Sequence, residues 1–501
     1  MSRRISILAG FLGVTLSLIG AEVVYRSSDK AAAPSLPREF RGAWIATVNN
    51  IDWPSKPGLP VASQKKELFE LIETAARLKL NCLIFQVRPA CDALYPSKLE
   101  PWSEYLTGKM GKAPVPAWDP LAYAINEAHR RGLELHAWFN PFRARYKSSV
   151  GSAASSHVSR KQPHLVKSYG GYQWLDPAEP AAQAHSMSVI LDVVRRYQVD
   201  GVHLDDYFYP YQVKNSKGKL LDFPDDVSWK RYKGKMTRAD WRRDNINRFL
   251  QRMYTEIKKT RPWIKVGISP FGIWRPGYPK TIKGLDAYDS LYADARKWLN
   301  QGWLDYCAPQ LYWSIESPGQ SHPKLLKWWV GENKKRRHLW IGNNSAKVNP
   351  WKADEIIKQI GLTRSEHGST GNIHWNVSAL TKDRGGLATQ LKKTTYSEYA
   401  LVPASPWLDK IPPAKPQVNM KIGKNQGQLI VNWYNRTREP VAVWVFQIRI
   451  KGKWSTLIFP RKQTSALMNI TGPMTPDAFA ITAIDRAGNA SVPAVLAKQL
   501  K

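Results

Sequence analysis

The sequence predicts an α/β protein: a (β/α)8 TIM barrel over residues 39–400, then a small C-terminal β-sandwich over residues 417–501. Three observations carry that prediction. Strand-like runs alternate with amphipathic helical runs between residues 39 and 400, and they do so about eight times, the number a closed parallel barrel needs. Residues 401–416 then hold Pro403, Pro406, Pro412, Pro413 and Pro416, the composition of a stiff linker. Beyond them, short alternating strands follow one another without helices, as in a sandwich.

Taken in order, residues 1–25 begin with Arg3 and Arg4 before an uncharged run, Ile5–Ala21, which reads as a signal peptide or a membrane anchor. Residues 26–38 are polar, contain Ala and Pro, and read as a tether. The barrel strands are expected at 40–48, 81–88, 133–140, 199–205, 264–269, 304–313, 338–342 and 371–376. Helices are expected around 65–79, 120–131, 179–197, 238–260 and 294–301. A doubly wound open sheet is the runner-up, weakened because no Gly-rich phosphate loop follows the first strand. In the sandwich, strands are expected at 428–433, 442–449, 455–458 and 478–485. The run Ala480–Asn489 resembles the end of a fibronectin type III domain, where a late strand leads into an Asp/Gly/Asn turn.

Composition narrows the function classes. The 74 Lys and Arg against 40 Asp and Glu leave a net charge of +34, a surface that favours anionic polymers. No zinc-finger spacing or RNA-recognition signature is present, and an export signal argues against a nucleic-acid partner. The three cysteines, Cys82, Cys91 and Cys307, have neither the number nor the spacing of a disulfide framework or a Cys-based zinc site.

Candidate site residues follow from strand alternation, because inward side chains at the C-terminal strand ends of a barrel converge on one pocket. Leu83, Phe85 and Val87 face helices, so Gln86 and Arg88 face in; by the same argument His136, Trp138 and Asn140 face in from the third strand. The fourth run, Val199–Pro210, sends in His203 and Asp205, with Tyr207 and Tyr209 beyond them. Gln310 and Tyr312 end the sixth, beside Trp313. Amide, hydroxyl and imidazole groups among indoles suit a carbohydrate. A metal held by His136, His203 and Asp205 has no local ligand motif behind it, and no metal or cofactor is expected. The two histidines equally suit bonds to each other, since polar barrel layers satisfy themselves.

Glycoside hydrolysis usually needs two carboxyl groups. Asp205 is one, as nucleophile or transition-state stabiliser. Asp206 points to the opposite face if the strand is regular, and reaches the pocket as general acid only if the chain turns there. Asp92, Asp176, Asp294 and Glu316 are further candidates near strand ends, although Asp294 also fits a helix N-cap.

Several stretches now carry a resemblance: Arg41–Val48 with Asp52-Trp53-Pro54, Gln86–Ser97, Glu100–Ser103, His136–Arg143, Val199–Pro210, Tyr292–Asp294 and Ala308–Trp313. In that order over residues 39–400, the chain resembles glycosyl hydrolase-like family 10, exported bacterial proteins with a TIM-barrel catalytic domain. The resemblance implies an exported glycosidase of the periplasm or cell envelope acting on cell-wall glycan, peptidoglycan strands stripped of their stem peptides in particular. It places Asp205 and Asp206 at the family's paired-aspartate position. Three departures stand out. Cys91 replaces a Gly common in the Pro-Ala-Gly-Asp turn, residues 148–168 form a basic insertion, and Tyr207 stands where chitinase-type barrels carry a catalytic Glu. That last departure leaves substrate assistance by an N-acetyl group open, with another residue as acid. The alternative function is a non-catalytic glycan-binding or scaffold protein on a degenerate barrel.

Overall fold

The computed structural model describes residues 24–28, 31–149, 151–423, 425, 427–436 and 440–499. They form two compact units. One comprises Arg38–His129 with Leu133–Pro403; the other takes the described residues up to Pro37, Arg130–Gly132 and those from Ala404 onward.

The larger unit is a closed barrel of eight parallel strands. In chain order these are β1 (Phe40–Ile45), β2 (Cys82–Arg88), β3 (Glu134–Phe139), β4 (Gly201–Leu204), β5 (Lys265–Ile268), β6 (Tyr306–Cys307), β7 (His338–Asn343) and β8 (Gly371–His374). The main helices packed outside are α1 (Val61–Arg77), α2 (Pro120–His129), α3 (Pro180–Arg196), α4 (Arg238–Thr260), α5 (Ala295–Gln301), α6 (His322–Glu332) and α7 (Ala353–Ser365). All eight expected strands are present. β6 is shorter than its apolar run implied, because Pro309 lacks the N–H a central strand needs.

Strand alternation sorts the side chains as anticipated. Leu83, Phe85, Val87, Leu135, Ala137, Val202, Leu204, Val266 and Ile268 join the core shared with the helices. Phe40, Trp44, Ile84, Trp138, Tyr306, Trp340 and Ile373 fill the inside. Those interior rings are stacked: Phe40 lies 3.5 Å from Trp340 between centroids, and Tyr306 lies 4.2 Å from the same indole. The barrel floor is therefore packed, and only its C-terminal mouth is left for chemistry. Glycine makes the floor fit: a Cβ at Gly267 would stand 1.8 Å from the Tyr306 ring.

The loop after β3 holds a small three-stranded antiparallel sheet, Arg143–Arg145, Val166–Tyr169 and Tyr172–Leu175, so the 148–168 insertion is partly ordered strand.

The smaller unit pairs a five-stranded and a three-stranded antiparallel sheet over a core that includes Val431, Trp433, Phe446, Phe459 and Phe479. The segment expected as a tether at 26–38 starts within the sandwich. Tyr25–Ser27 is a strand paired with Ala494–Lys498, the Tyr25 ring is buried in the sandwich core, and its hydroxyl donates to the Pro476 carbonyl at 2.6 Å. Ala31 is buried too. Alternation over so short a run is too weak a signal to read from sequence. The apolar run Ile5–Ala21 lies outside the described residues; among those described, no helix is long and apolar enough to cross a membrane. The three cysteines are free and buried.

Candidate active site

The site is built on two ladders of hydrogen bonds inside the barrel, one above the other. The lower ladder fixes the histidines. The Trp44 indole N–H donates to His203 Nε2 at 3.0 Å, and an indole nitrogen can only donate. His203 therefore carries its proton on Nδ1 and donates it to the Tyr306 hydroxyl at 3.0 Å. Tyr306 in turn donates to His136 Nδ1 at 2.9 Å, and His136 Nε2 donates to Glu134 at 3.1 Å. Lys265 closes the ladder on Glu134 at 2.8 Å. Burial holds His203 well below the ordinary imidazole range, which keeps it neutral. His136 and His203 thus lie beneath the pocket in which they were expected, bonded through Tyr306. Alternation gives the direction of a side chain but not its height, and barrel strands are staggered.

The upper ladder ends on a carboxylate. Gln86 Oε1 accepts the backbone N–H groups of Thr47 and Val48 at 2.8 and 2.9 Å, which fixes the orientation of its amide. Its Nε2 donates to Asn140 Oδ1 at 2.6 Å, so the Asn140 amide must turn its own N–H outward. That N–H donates to Asp205 Oδ2 at 2.6 Å. Arg143 Nη2 also donates to Asn140 Oδ1, at 2.9 Å, and Arg143 Nη1 donates to the Tyr207 hydroxyl.

Asp205 and Asp206 lie together. β4 ends at Leu204, so the two aspartates sit beyond its regular alternation, each only 7% exposed. The chain leaves the regular strand before Asp206, the condition under which Asp206 is expected to reach the pocket. The Tyr211 hydroxyl donates to Asp206 Oδ2, and the Gln310 side chain bonds the same carboxylate. Tyr312 stands close enough for its phenol to feel both charges. Asp205 Oδ1 is buried and has no hydrogen-bond partner among the described residues. Burial first, then the neighbouring Asp206 charge, pushes Asp205 up to about 7; burial raises Asp206 as well. The pair is therefore poised to take up a proton near neutral pH, and Asp205 holds it more readily, because Asp206 has two side-chain donors where Asp205 has one.

Indoles line the layer below the pair. Trp138 lies 6.2 Å from Trp375 between centroids, and Trp44 is also 6.2 Å from Trp375. Trp375 is half-buried, and the Trp138 indole N–H is buried without a partner among the described residues.

Other expected site residues are placed elsewhere. Arg88 is turned away by an irregularity in register between Gln86 and Arg88 and forms a fully buried ion pair with Glu100, which His185 also bonds at 2.8 Å. Asp92 accepts the Ala90 N–H at 2.9 Å and shapes the turn after β2. Asp176 accepts from Ser228 at 2.6 Å and from the Ala178 N–H at 3.0 Å. Tyr209 is buried 5.1 Å from Tyr292 and beneath the Arg242 guanidinium. Asp294 caps α5 through the Lys297 N–H at 3.2 Å and accepts the Trp274 indole N–H at 3.1 Å. Trp313 packs edge-on against Phe271 at 5.5 Å, and Glu316 is exposed in a turn. The structure therefore gathers Asn140, Asp205, Asp206, Tyr207, Gln310 and Tyr312, with Trp138 and His203 beneath. Arg143 and Tyr211 join them unforeseen, the first in a strand only three residues long and the second on a loop, so no periodicity shows their direction.

The family described as Glycosyl hydrolase-like 10 matches residues 39–358. The chain is 38% identical over 477 residues to Glycosyl hydrolase YngK of Bacillus subtilis (strain 168), across 91% of this chain and 92% of that protein. It is 34% identical over 391 residues to Glycosyl hydrolase DigH of Escherichia coli (strain K12), across 71% and 87% respectively. Among solved structures, the PgaB (BpsB) glycoside hydrolase domain from Bordetella bronchiseptica aligns at 12% identity and TM-score 0.47, over 71% of this chain and 98% of that one. The catalytic domain of β-amylase from Paenibacillus polymyxa aligns at the same identity and score, over 72% and 99%.

Proposed function

The chain belongs to the glycosyl hydrolase-like 10 family, and on that premise we propose that it is an exported enzyme hydrolysing O-glycosidic bonds of cell-wall polysaccharide, namely peptidoglycan glycan strands that lack stem peptides. The observation that carries this reading is the buried Asp205–Asp206 pair at the barrel mouth, oriented by the Gln86–Asn140 amide ladder and poised to take up a proton near neutral pH. A proton held near the working pH is what general acid catalysis of a leaving sugar oxygen requires.

Asp205 stabilises the developing positive charge at the anomeric carbon, and Asp206 protonates the leaving oxygen. In the free enzyme the proton rests on Asp205. A substrate donor reaching the unpartnered Asp205 Oδ1 favours its ionised form and passes the proton to Asp206. Tyr312 and Gln310 orient the sugar, and the half-exposed Trp375 offers a flat face to its apolar side. The +34 charge favours an acidic, muramyl-containing matrix, and the sandwich unit serves to place the enzyme at the wall.

Mass spectrometry of fragments released from purified peptidoglycan, with and without its stem peptides, tests the reading. Fragments from the stripped strands are expected. Release only from peptide-bearing strands overturns the substrate, and release from neither favours glycan binding without catalysis.

A further inference from the structure

The geometry points to a nucleophile supplied by the substrate: the site accepts a 1,2-trans glycoside of a 2-acetamido sugar and uses the acetamido carbonyl oxygen, not a protein carboxylate, to attack the anomeric carbon. This rests on the proposed glycosidase reading and names the sugar at the point of cleavage.

Two observations carry it. First, Asp205 and Asp206 are consecutive residues leaving the end of one strand, so they approach a sugar from one side. Direct displacement by protein groups needs two carboxyls flanking the scissile bond, one at the leaving oxygen and one at the opposite face of the ring. Among the described residues, none of the four other candidate carboxylates joins the pair. Asp92, Asp176 and Asp294 are engaged in turns and a cap, and Glu316 is exposed in a turn. Second, two buried polar atoms of the site have no partner among the described residues: Asp205 Oδ1, an acceptor once Asp205 is ionised, and the Trp138 indole N–H, a donor. Buried polar groups without partners are costly, and their presence at a site calls for explanation. A secondary amide carries the complementary pair, one N–H and one C=O, and its methyl group suits the indole-lined layer formed with Trp44 and Trp375. Tyr211, a ring 39% exposed, is held beside the pair by its hydroxyl on Asp206 and an edge contact with Tyr207.

The step balances within these groups. The acetamido oxygen bonds to the anomeric carbon as the glycosidic C–O bond breaks, and the leaving oxygen takes the Asp206 proton. Asp205, accepting the acetamido N–H through Oδ1, stabilises the cyclic oxazolinium ion. Water then bonds to the anomeric carbon and returns a proton to Asp206, the oxazolinium C–O bond breaks, and the acetamide is restored. Two inversions at one carbon leave the product with the configuration of the substrate.

The test compares wall glycan strands with the same strands chemically de-N-acetylated, follows the released anomer by NMR, and adds the thiazoline analogue of N-acetylglucosamine as probe. Expected are retention of configuration, inhibition by the thiazoline, and cleavage of the de-N-acetylated polymer slower by about 100-fold or more. Equal cleavage of both polymers, or an inverted product, overturns the inference and leaves the proposed function standing. If no wall polymer is cleaved, the proposed function falls, and calorimetry with the thiazoline decides the inference alone. Binding by wild type that weakens about tenfold or more in a folded Asp205→Asn variant supports it; no binding, or equal binding, ends it.

Discussion

One proton on two adjacent aspartates governs the residue scale. Asp205 titrates at about 7 when folded, against roughly 3.9 when unfolded. The folded chain therefore binds more protons than the unfolded chain between those values, and stability is lost as pH rises through about 7. Asp205→Asn removes that cost. Its melting temperature should match wild type near pH 4 and exceed it at pH 8, by an amount equivalent to at most about 4 kcal/mol; a difference that ignores pH would contradict the titration. Asn140→Ala withdraws the N–H that steadies ionised Asp205. It should lower kcat by about 10- to 100-fold and move the alkaline limb of the pH–rate profile upward. Arg88 was legible as inward-facing, yet the register irregularity beside it gives the guanidinium to Glu100. Arg88→Ala should accordingly lower stability by about 3–5 kcal/mol, through the buried charge left on Glu100, read by chemical denaturation. A variant of unchanged stability with a raised KM would restore Arg88 to the substrate. Cys91 shows a sequence departure acquiring a physical meaning. Its φ is +50°, a conformation glycine adopts freely, so Cys91 holds that turn at some cost.

Among the elements, the strands were the most legible feature, because outward apolar positions recur at period 2 in every run long enough to count. What alternation leaves out is height and ending. It put His136 in the pocket, though Tyr306 holds it on the floor, and it could not tell that β4 stops at Leu204, the fact that lets Asp206 join Asp205. Arg143, in a strand of three residues, and Tyr211, on a loop, show no usable period, so their arrival at the site could be found only in three dimensions. The floor makes its own prediction. Gly267 pairs in register with both His203 and Tyr306, and a Cβ there would enter the Tyr306 ring. Gly267→Ala should destabilise the barrel by about 3 kcal/mol or more, above the usual cost of overpacking, and lower the melting temperature of the larger unit. An unchanged melting temperature would mean the stacked floor yields easily.

For the whole molecule, the barrel, the Pro-rich segment and the sandwich class could all be read from composition and period. The contribution of Tyr25–Ser27 to the sandwich could not, since three residues carry no pattern. The proposal that the Asp205–Asp206 pair hydrolyses wall glycan is decided at this level. Its most direct test is one assay of wild type, Asp205→Asn and Asp206→Asn on purified peptidoglycan strands stripped of stem peptides, with released fragments quantified by mass spectrometry. Fragments are expected from wild type, with a loss of about 100-fold or more in each folded variant. Full cleavage by either variant, or none by wild type, would contradict it.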